Sequence, residues 1–286
     1  MPVIATPLPQ RLRNTDRIEL NRSSWQAAGL VGWWPLGAYP DARNMSVYGS
    51  ARPNATFSGP VPGAAGQRRG LFFDGTNDYL VIPNYPQIND LANITIQCWV
   101  INATDSWTNP VSKDGNNGYY LQLNASAHWS YGTVYIKYGS ASAYFDAGGT
   151  YAADTWYMYT MVFNDHDGDG NGTLSVYRDG GTLARSGTGG NDKAGPTGQD
   201  DDLFIGQFSS DGSGAPSGWN YYLDGLLDDV RIYNRALGAN EVAAIYHQTR
   251  DGGYGDLAAQ PTRFHHLPVA AAVGKGSRTA MFLGVE

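Results

Sequence analysis

From residue 29 to residue 248 the chain alternates short aromatic or β-branched runs with clusters of Gly, Asn, Asp and Pro. That is the period-two texture of strands and turns. It predicts strands at Leu30–Leu36, Gly70–Phe73, Tyr79–Ile82, Ile94–Ile101, Tyr119–Leu123, Thr133–Tyr138, Thr155–Phe163, Thr173–Arg178, Leu203–Phe208 and Tyr222–Tyr233. In the run 155–163, Trp156, Met158, Thr160 and Val162 share one face, and Tyr157, Tyr159, Met161 and Phe163 share the other. Both faces are bulky, which predicts a central strand covered on both sides. Many strands with no helix between them predict an all-β, antiparallel two-sheet jelly-roll sandwich.

One segment has a helical period. At Ala239–Gln248, Val242, Ile245 and Tyr246 fall on one face, Gly238 stands at the N-cap, and Glu241 is placed to reach back to the cap N–H. This predicts a single short helix closing the sandwich. Residues 1–28, with Pro2, Pro7, Pro9 and a polar run, and residues 251–286, rich in Gly and Ala with Pro261 and Pro268, show no sustained period. They are expected to be extended arms flanking one domain at 29–250. Neither arm can build its own core, so both are expected to dock on neighbouring subunits, which would repay their ordering entropy.

Composition narrows the function. The 286 residues carry a net charge of −7, which disfavours broad nucleic-acid binding. The contrast within the chain is larger: residues 29–250 hold 12 basic against 21 acidic side chains, while residues 1–28 hold four against two. The single cysteine, Cys98, rules out an internal disulfide or a cysteine zinc cluster. No apolar run approaches the roughly 18 residues of a membrane span, and no apolar leader is visible. The seven Asn-x-Ser/Thr triplets, at Asn21, Asn44, Asn54, Asn93, Asn102, Asn124 and Asn171, are therefore read as by-products of an Asn-, Ser- and Thr-rich chain.

The sharpest local motif is 164–172, where Asp165, Asp167 and Asp169 alternate, followed by Gly170 and Asn171. Hard oxygen donors at this spacing form the front half of an EF-hand-like Ca²⁺ loop. Position twelve is Val176 rather than Glu, and it lies in a predicted strand. The competing reading is an Asp/Gly hairpin loop. Asp200, Asp201 and Asp202 read as a solvated turn.

The blocks Gly29-Leu-Val-Gly-Trp-Trp-Pro-Leu36, Gly70-Leu-Phe-Phe-Asp-Gly-Thr-Asn-Asp-Tyr-Leu80, Ile94–Val100, Thr155–Tyr157, Leu174–Gly180 and Leu223-Asp-Gly-Leu-Leu-Asp-Asp-Val-Arg-Ile-Tyr-Asn-Arg-Ala-Leu237 occur in the order of a known family. Residues 29–248 resemble the laminin-G-like, concanavalin-A-like jelly roll. The resemblance implies Leu227, Val230 and Ile232 between the sheets, positive-φ turns at Gly75, Gly180 and Gly225, and surface pairing for Arg231 and Arg235. It implies a second structural Ca²⁺ position, with Asp41, Asn44, Asp228 and Asp229 as its candidate ligands. It also implies a glycan-binding surface, for which Trp107, Trp129, Tyr131, Trp219 and Tyr221 are the loop aromatics.

Catalysis is not expected. The relatives that hydrolyse glycosides use paired carboxylates on one strand, whereas Glu19, Glu241 and Glu286 lie in an arm, the helix and the last residue. The layout of arm, domain and arm is similar to that of tailed-phage virion proteins carrying such a module. It implies a capsid decoration, cement or fibre subunit made in the host cytoplasm and resident in the virion. Its partners would be capsid subunits and copies of itself, with surface glycans as further ligands and no nucleic acid or membrane. The alternative is a carbohydrate-binding adhesin or lectin.

Overall fold

The structure is a computed structural model and describes residues 18–38, 56–58, 61–65, 68–102, 107–113, 118–124, 133–138, 141–146, 155–165, 172–185, 201–208 and 221–258. In chain order its strands are β1 (Leu30–Trp34), β2 (Thr56–Ser58), β3 (Val61–Ala65), β4 (Arg68–Asp74), β5 (Tyr79–Ile82), β6 (Ile94–Asn102), β7 (Trp107–Lys113) and β8 (Tyr119–Asn124). They continue as β9 (Thr133–Tyr138), β10 (Ala141–Asp146), β11 (Tyr157–Asn164), β12 (Thr173–Arg178), β13 (Gly181–Thr182), β14 (Ala184–Arg185), β15 (Leu203–Ile205) and β16 (Asp224–Tyr233), and α1 (Ala239–Thr249) follows.

The strands form two antiparallel sheets. The first runs β13-β12-β11-β6-β16-β4-β3, with β1 also paired to β16. The second runs β14-β10-β9-β8-β7-β15-β5-β2. Alternation decides which residues meet between them. Ile94, Ile96, Cys98 and Val100 of β6 face Leu121 and Leu123 of β8 and Leu203 and Ile205 of β15 in one cluster, together with Leu227, Val230 and Ile232. On β11, Tyr159, Met161 and Phe163 join this cluster while Met158 and Val162 join another on the far side, so both faces of the strand are covered as its sequence predicts.

That second cluster lies on the outer face of the first sheet. Trp33, Trp99, Met158, Val162, Tyr177 and Tyr233 are covered there by Val242 and Ile245 of α1, by Ile18 and Ala27, and by Tyr254 and Leu257. The described parts of the two arms are therefore built into the body. Leu20 forms an antiparallel bridge with Ala258, the Asn21 N–H donates to the Leu257 carbonyl at 2.8 Å, and the Asn21 Nδ2 donates to the Asp256 carbonyl at 3.0 Å. The boundaries expected at 28 and 251 move outward to at least 18 and 258. Residues 1–17 and 259–286 lie outside the described residues.

The helix begins as expected. Glu241 Oε2 accepts from the Gly238 N–H at 2.9 Å, and its carboxylate also pairs with Arg235 at 2.8 Å. Gly206 is the tightest of the described turns. Its φ is +86°, and an added Cβ would lie 2.4 Å from the Phe73 ring in the core. A side chain there meets backbone strain and a packed aromatic together. Gly206→Ala is expected to lower unfolding free energy by about 2–4 kcal/mol in a denaturant titration.

Candidate functional site

The two outer faces of the sandwich differ in chemistry. On the first sheet, β16 carries a bulge: Asp228 opposes Trp99 of β6, but Arg231 opposes Gln97, so one extra residue enters between them. Asp229 takes a φ of +52°. The bulge breaks the alternation and sets two consecutive acids on one face. Arg68 Nη1 donates to Asp228 Oδ2 at 2.6 Å, and Arg231 grips Asp229 through Nε and Nη2 at 2.8 and 2.7 Å. The Trp33 Nε1–H donates to Asp229, and the Gly37 N–H and Tyr254 hydroxyl donate to Asp228. All four charged side chains are at most 2% exposed.

Arg231 is thus not the surface cation the sequence suggests. Arg235 keeps a half-exposed pair with Glu241. Asp228 and Asp229 were expected to help hold Ca²⁺, but their oxygens are occupied by two guanidinium groups and three further donors. The donor set is already charge-balanced and leaves no carboxylate edge for a cation. Asp41 and Asn44 lie outside the described residues. So do Asp167, Asp169 and Asn171 of the other calcium motif, of which only Asp165 is described; its N–H donates to Asn93 Oδ1 at 2.7 Å. The Asp201 carbonyl accepts from buried Lys113, and Asp202 Oδ1 accepts from the Asn84 N–H at 2.8 Å, so this turn is tied to β7 rather than free in solvent.

The outer face of the second sheet is composed differently. Tyr119, Leu121 and Leu123 of β8 point into the core, which turns Tyr120 and Gln122 outward. Register places Trp107 opposite Asn124, Gln122 opposite Tyr135 of β9, and Tyr135 opposite Tyr144 of β10. Tyr120 lies between Ser112 and Lys137 in the neighbouring row. A bulge between Thr108 and Val111 in β7 brings Asn109 to Gln122, whose Nε2 donates to Asn109 Oδ1 at 3.0 Å. Beyond β15, Phe208 meets Tyr120 edge-on at 5.2 Å between centroids and Tyr221 at 5.8 Å. Ser112 Oγ donates to the Gln207 carbonyl at 2.7 Å.

Several polar atoms here keep bonding capacity. Asn109 Nδ2 and both ends of the Gln207 amide are buried without a hydrogen-bond partner among the described residues. Such orphaned amides cost free energy unless something else bonds them. Trp107, Phe208 and Tyr221 are half-buried and form the accessible rim. Of the aromatics proposed from sequence, Trp107 and Tyr221 stand on this face. Trp129, Tyr131 and Trp219 lie outside the described residues. Sequence reasoning missed Tyr120, Phe208, Asn109, Gln122 and Gln207, although alternation in the expected strand Tyr119–Leu123 sets Tyr120 and Gln122 on the face opposite Leu121.

Residues 74–243 match the family model described as the concanavalin A-like lectin/glucanases superfamily. The chain belongs to this family. Its members' jelly roll is the architecture described above. No curated protein sequence matches the chain. Among solved structures, it is similar to domain 4 of AbnA, an extracellular arabinanase from Geobacillus stearothermophilus, solved with arabinotriose; identity is 14%, TM-score 0.53, with 76% of this chain and 97% of that one covered. It is similar to the binding domain of Paraclostridial Mosquitocidal Protein 1 at 15% identity and TM-score 0.55, and to the binding domain of botulinum neurotoxin serotype D at 11% and 0.53. The match covers 76% and 77% of this chain but only about half, 52%, of each toxin domain. At these identities the likeness is one of fold.

The buried ion network generates a pH dependence. Burial pushes the Asp228 carboxyl up to about 6; Arg68 works against that rise and Asp229 adds to it. A folded-state value above the unfolded one, about 3.9, means that the native protein binds the proton more tightly. Stability from this group therefore grows as pH falls from 7 to 5, by about 1 kcal/mol. Urea unfolding at pH 7 and pH 5 should show that gain in the unmodified protein and a smaller one in Asp228→Asn.

Proposed function

We propose that the chain is a carbohydrate-binding module whose ligand face is the outer surface of the second sheet. The observation that carries this reading is the cluster of Tyr120, Phe208 and Tyr221, with Trp107 on the same face, whose half-buried members Trp107, Phe208 and Tyr221 offer ring faces at the surface. Sugars present apolar ring faces and a periphery of hydroxyls. Aromatic side chains stack on the former, and amide groups donate to and accept from the latter. Family membership supports the class of ligand, and the arabinotriose held by the arabinanase domain of the same fold is consistent with it.

Binding without hydrolysis is the favoured form. Glycoside hydrolysis needs two carboxyl groups about 5–10 Å apart flanking the bond. Among the described residues, Asp228, Asp229 and Glu241 are each held by an arginine, and none of them lies on the second sheet. A second reading, a decoration or fibre subunit of a virus particle, rests on the sequence layout of a domain flanked by segments without sustained period. Particles from producing cells should then carry the chain at a fixed copy number, and particles lacking it would end that reading.

The binding proposal is tested by titrating the full chain with neutral oligosaccharides, arabino- and gluco-oligosaccharides included, by calorimetry. Tyr221→Ala and Trp107→Ala are each expected to weaken binding about 5- to 100-fold, in line with about 1–3 kcal/mol for a lost aromatic platform, with unchanged thermal unfolding. Wild-type protein that binds none of a broad glycan panel would overturn the reading.

A further inference from the structure

The half-buried aromatics of the second sheet's outer face fall into two groups, one at each end of the β7–β8 pair. Trp107 stands at one end, opposite Asn124. At the other end Tyr120 stands opposite Ser112 and carries Phe208 edge-on at 5.2 Å, with Tyr221 a further 5.8 Å from Phe208. Thr108 and Val111 are registered with Leu123 and Leu121, which point into the core, so Trp107 and Ser112 both lie on the outer face in spite of the bulge between them. Asn124 and Tyr120 are four residues apart on one antiparallel strand, which sets the two groups about 13 Å apart.

That spacing is held by the sheet. Trp107 is in a paired strand, and Phe208 is packed on Tyr120 of the neighbouring strand, so the two platforms cannot drift together or apart. It is also long on the scale of a sugar. With carbon–carbon bonds of about 1.5 Å, one sugar ring and its linking oxygen span about 5 Å. The two rings of a disaccharide therefore lie too close together to cover both platforms, whereas rings two or three units apart in an extended chain match the gap. Direction is fixed as well. A chain laid across the strands would stay near one platform, because the two are separated along β7 and β8.

Between the platforms the chemistry changes from aromatic to amide. Gln122 occupies the intervening row of β8 on the outer face, and its Nε2 is committed to Asn109 Oδ1 at 3.0 Å. That bond orients the amide and leaves the Gln122 Oε1 to accept from a hydroxyl passing over it. The succession of ring, amide and ring along one strand pair is what a run of linked sugars would meet: a stacked unit, a hydrogen-bonded unit and a second stacked unit.

We propose that the ligand of this face is an oligosaccharide chain of at least about three consecutive units, the length that the gap between the platforms requires, lying along β7 and β8 with one ring on Trp107 and another on Phe208 and Tyr221. The inference rests on the glycan reading and narrows it from sugars in general to extended chains. Both stacked rings belong to one molecule, so the second contact forms at a high effective concentration and multiplies the affinity of the first. A monosaccharide or disaccharide gains only one platform.

Calorimetric titration of the full chain with arabino- and gluco-oligosaccharides of one to six units tests this. For the series that binds, affinity should rise at least about 10-fold between the disaccharide and the tetrasaccharide and then level off. In Trp107→Ala and in Tyr221→Ala that rise should shrink to less than about 3-fold, because one platform is gone. Equal affinity for the disaccharide and the tetrasaccharide overturns this inference and leaves the glycan reading standing. So does a rise with chain length that persists undiminished in both variants. Failure of every chain to bind overturns the glycan reading and this inference with it. The length series on unmodified protein decides the matter even if a variant folds poorly.

Discussion

The structure depends on a bulge that puts two acids side by side in the interior. Asp228 and Asp229 share a face only because β16 takes an extra residue there. Two adjacent carboxylates inside a protein are untenable without counter-charge. Arg68 arrives from β4 and Arg231 from β16 itself, and the remaining donors come from β1, the turn after it and the segment after α1. Five stretches of chain are held by one neutral cluster. Removing a single partner would strand a buried charge, a loss of about 3–5 kcal/mol, so the cluster specifies how the ends of the domain fold back on the sheet. Arg68 also lies 4.3 Å over the Trp99 ring, and Trp99 stacks on Tyr246 of α1 at 5.8 Å, which couples the helix to the same charges.

This arrangement divides the two sides of the sandwich. The first sheet's outer face is closed by the helix and the terminal segments, and its buried charges pair with one another, while the Gln97 amide and Thr160 hydroxyl there have no partner among the described residues. The second sheet's outer face has no helix over it among the described residues, and its rows hold aromatic and amide side chains rather than an aliphatic core. Bulges occur in both sheets with opposite outcomes. In β16 the bulge gathers charges that neutralise each other, and in β7 it gathers an amide, Asn109, whose donor has no partner among the described residues. The proposed ligand face is therefore placed on the second sheet.

Much of the fold was legible in the alternation of the chain. Strands such as Tyr79–Ile82, Thr133–Tyr138 and Thr173–Arg178 match their predicted bounds, and the positive φ values of Gly75, Gly180 and Gly225 follow their turn motifs. Strands that lack β-branched or aromatic continuity were missed. Val61–Ala65 reads as a Pro-Gly turn, and Trp107–Lys113 contains Pro110 at its bulge, so tertiary pairing rather than propensity makes them strands. The site was less legible. Asp228-Asp229 looks like a metal pair because sequence cannot show that arginines 160 and two positions away in the chain converge on it. Alternation along β8 sets Tyr120 and Gln122 outward, but Phe208 and Asn109 reach that face only through a glycine turn and a bulge.

The central claim is that ligand recognition belongs to the second sheet while the first is sealed by its ion network. Hydrogen exchange of the full chain, with and without a bound oligosaccharide, tests it most directly. Slower exchange confined to 107–124 and 203–208, with 226–233 and α1 unaltered, is the predicted result. Protection appearing at α1 and the β16 bulge instead, with the second sheet unaffected, would contradict it.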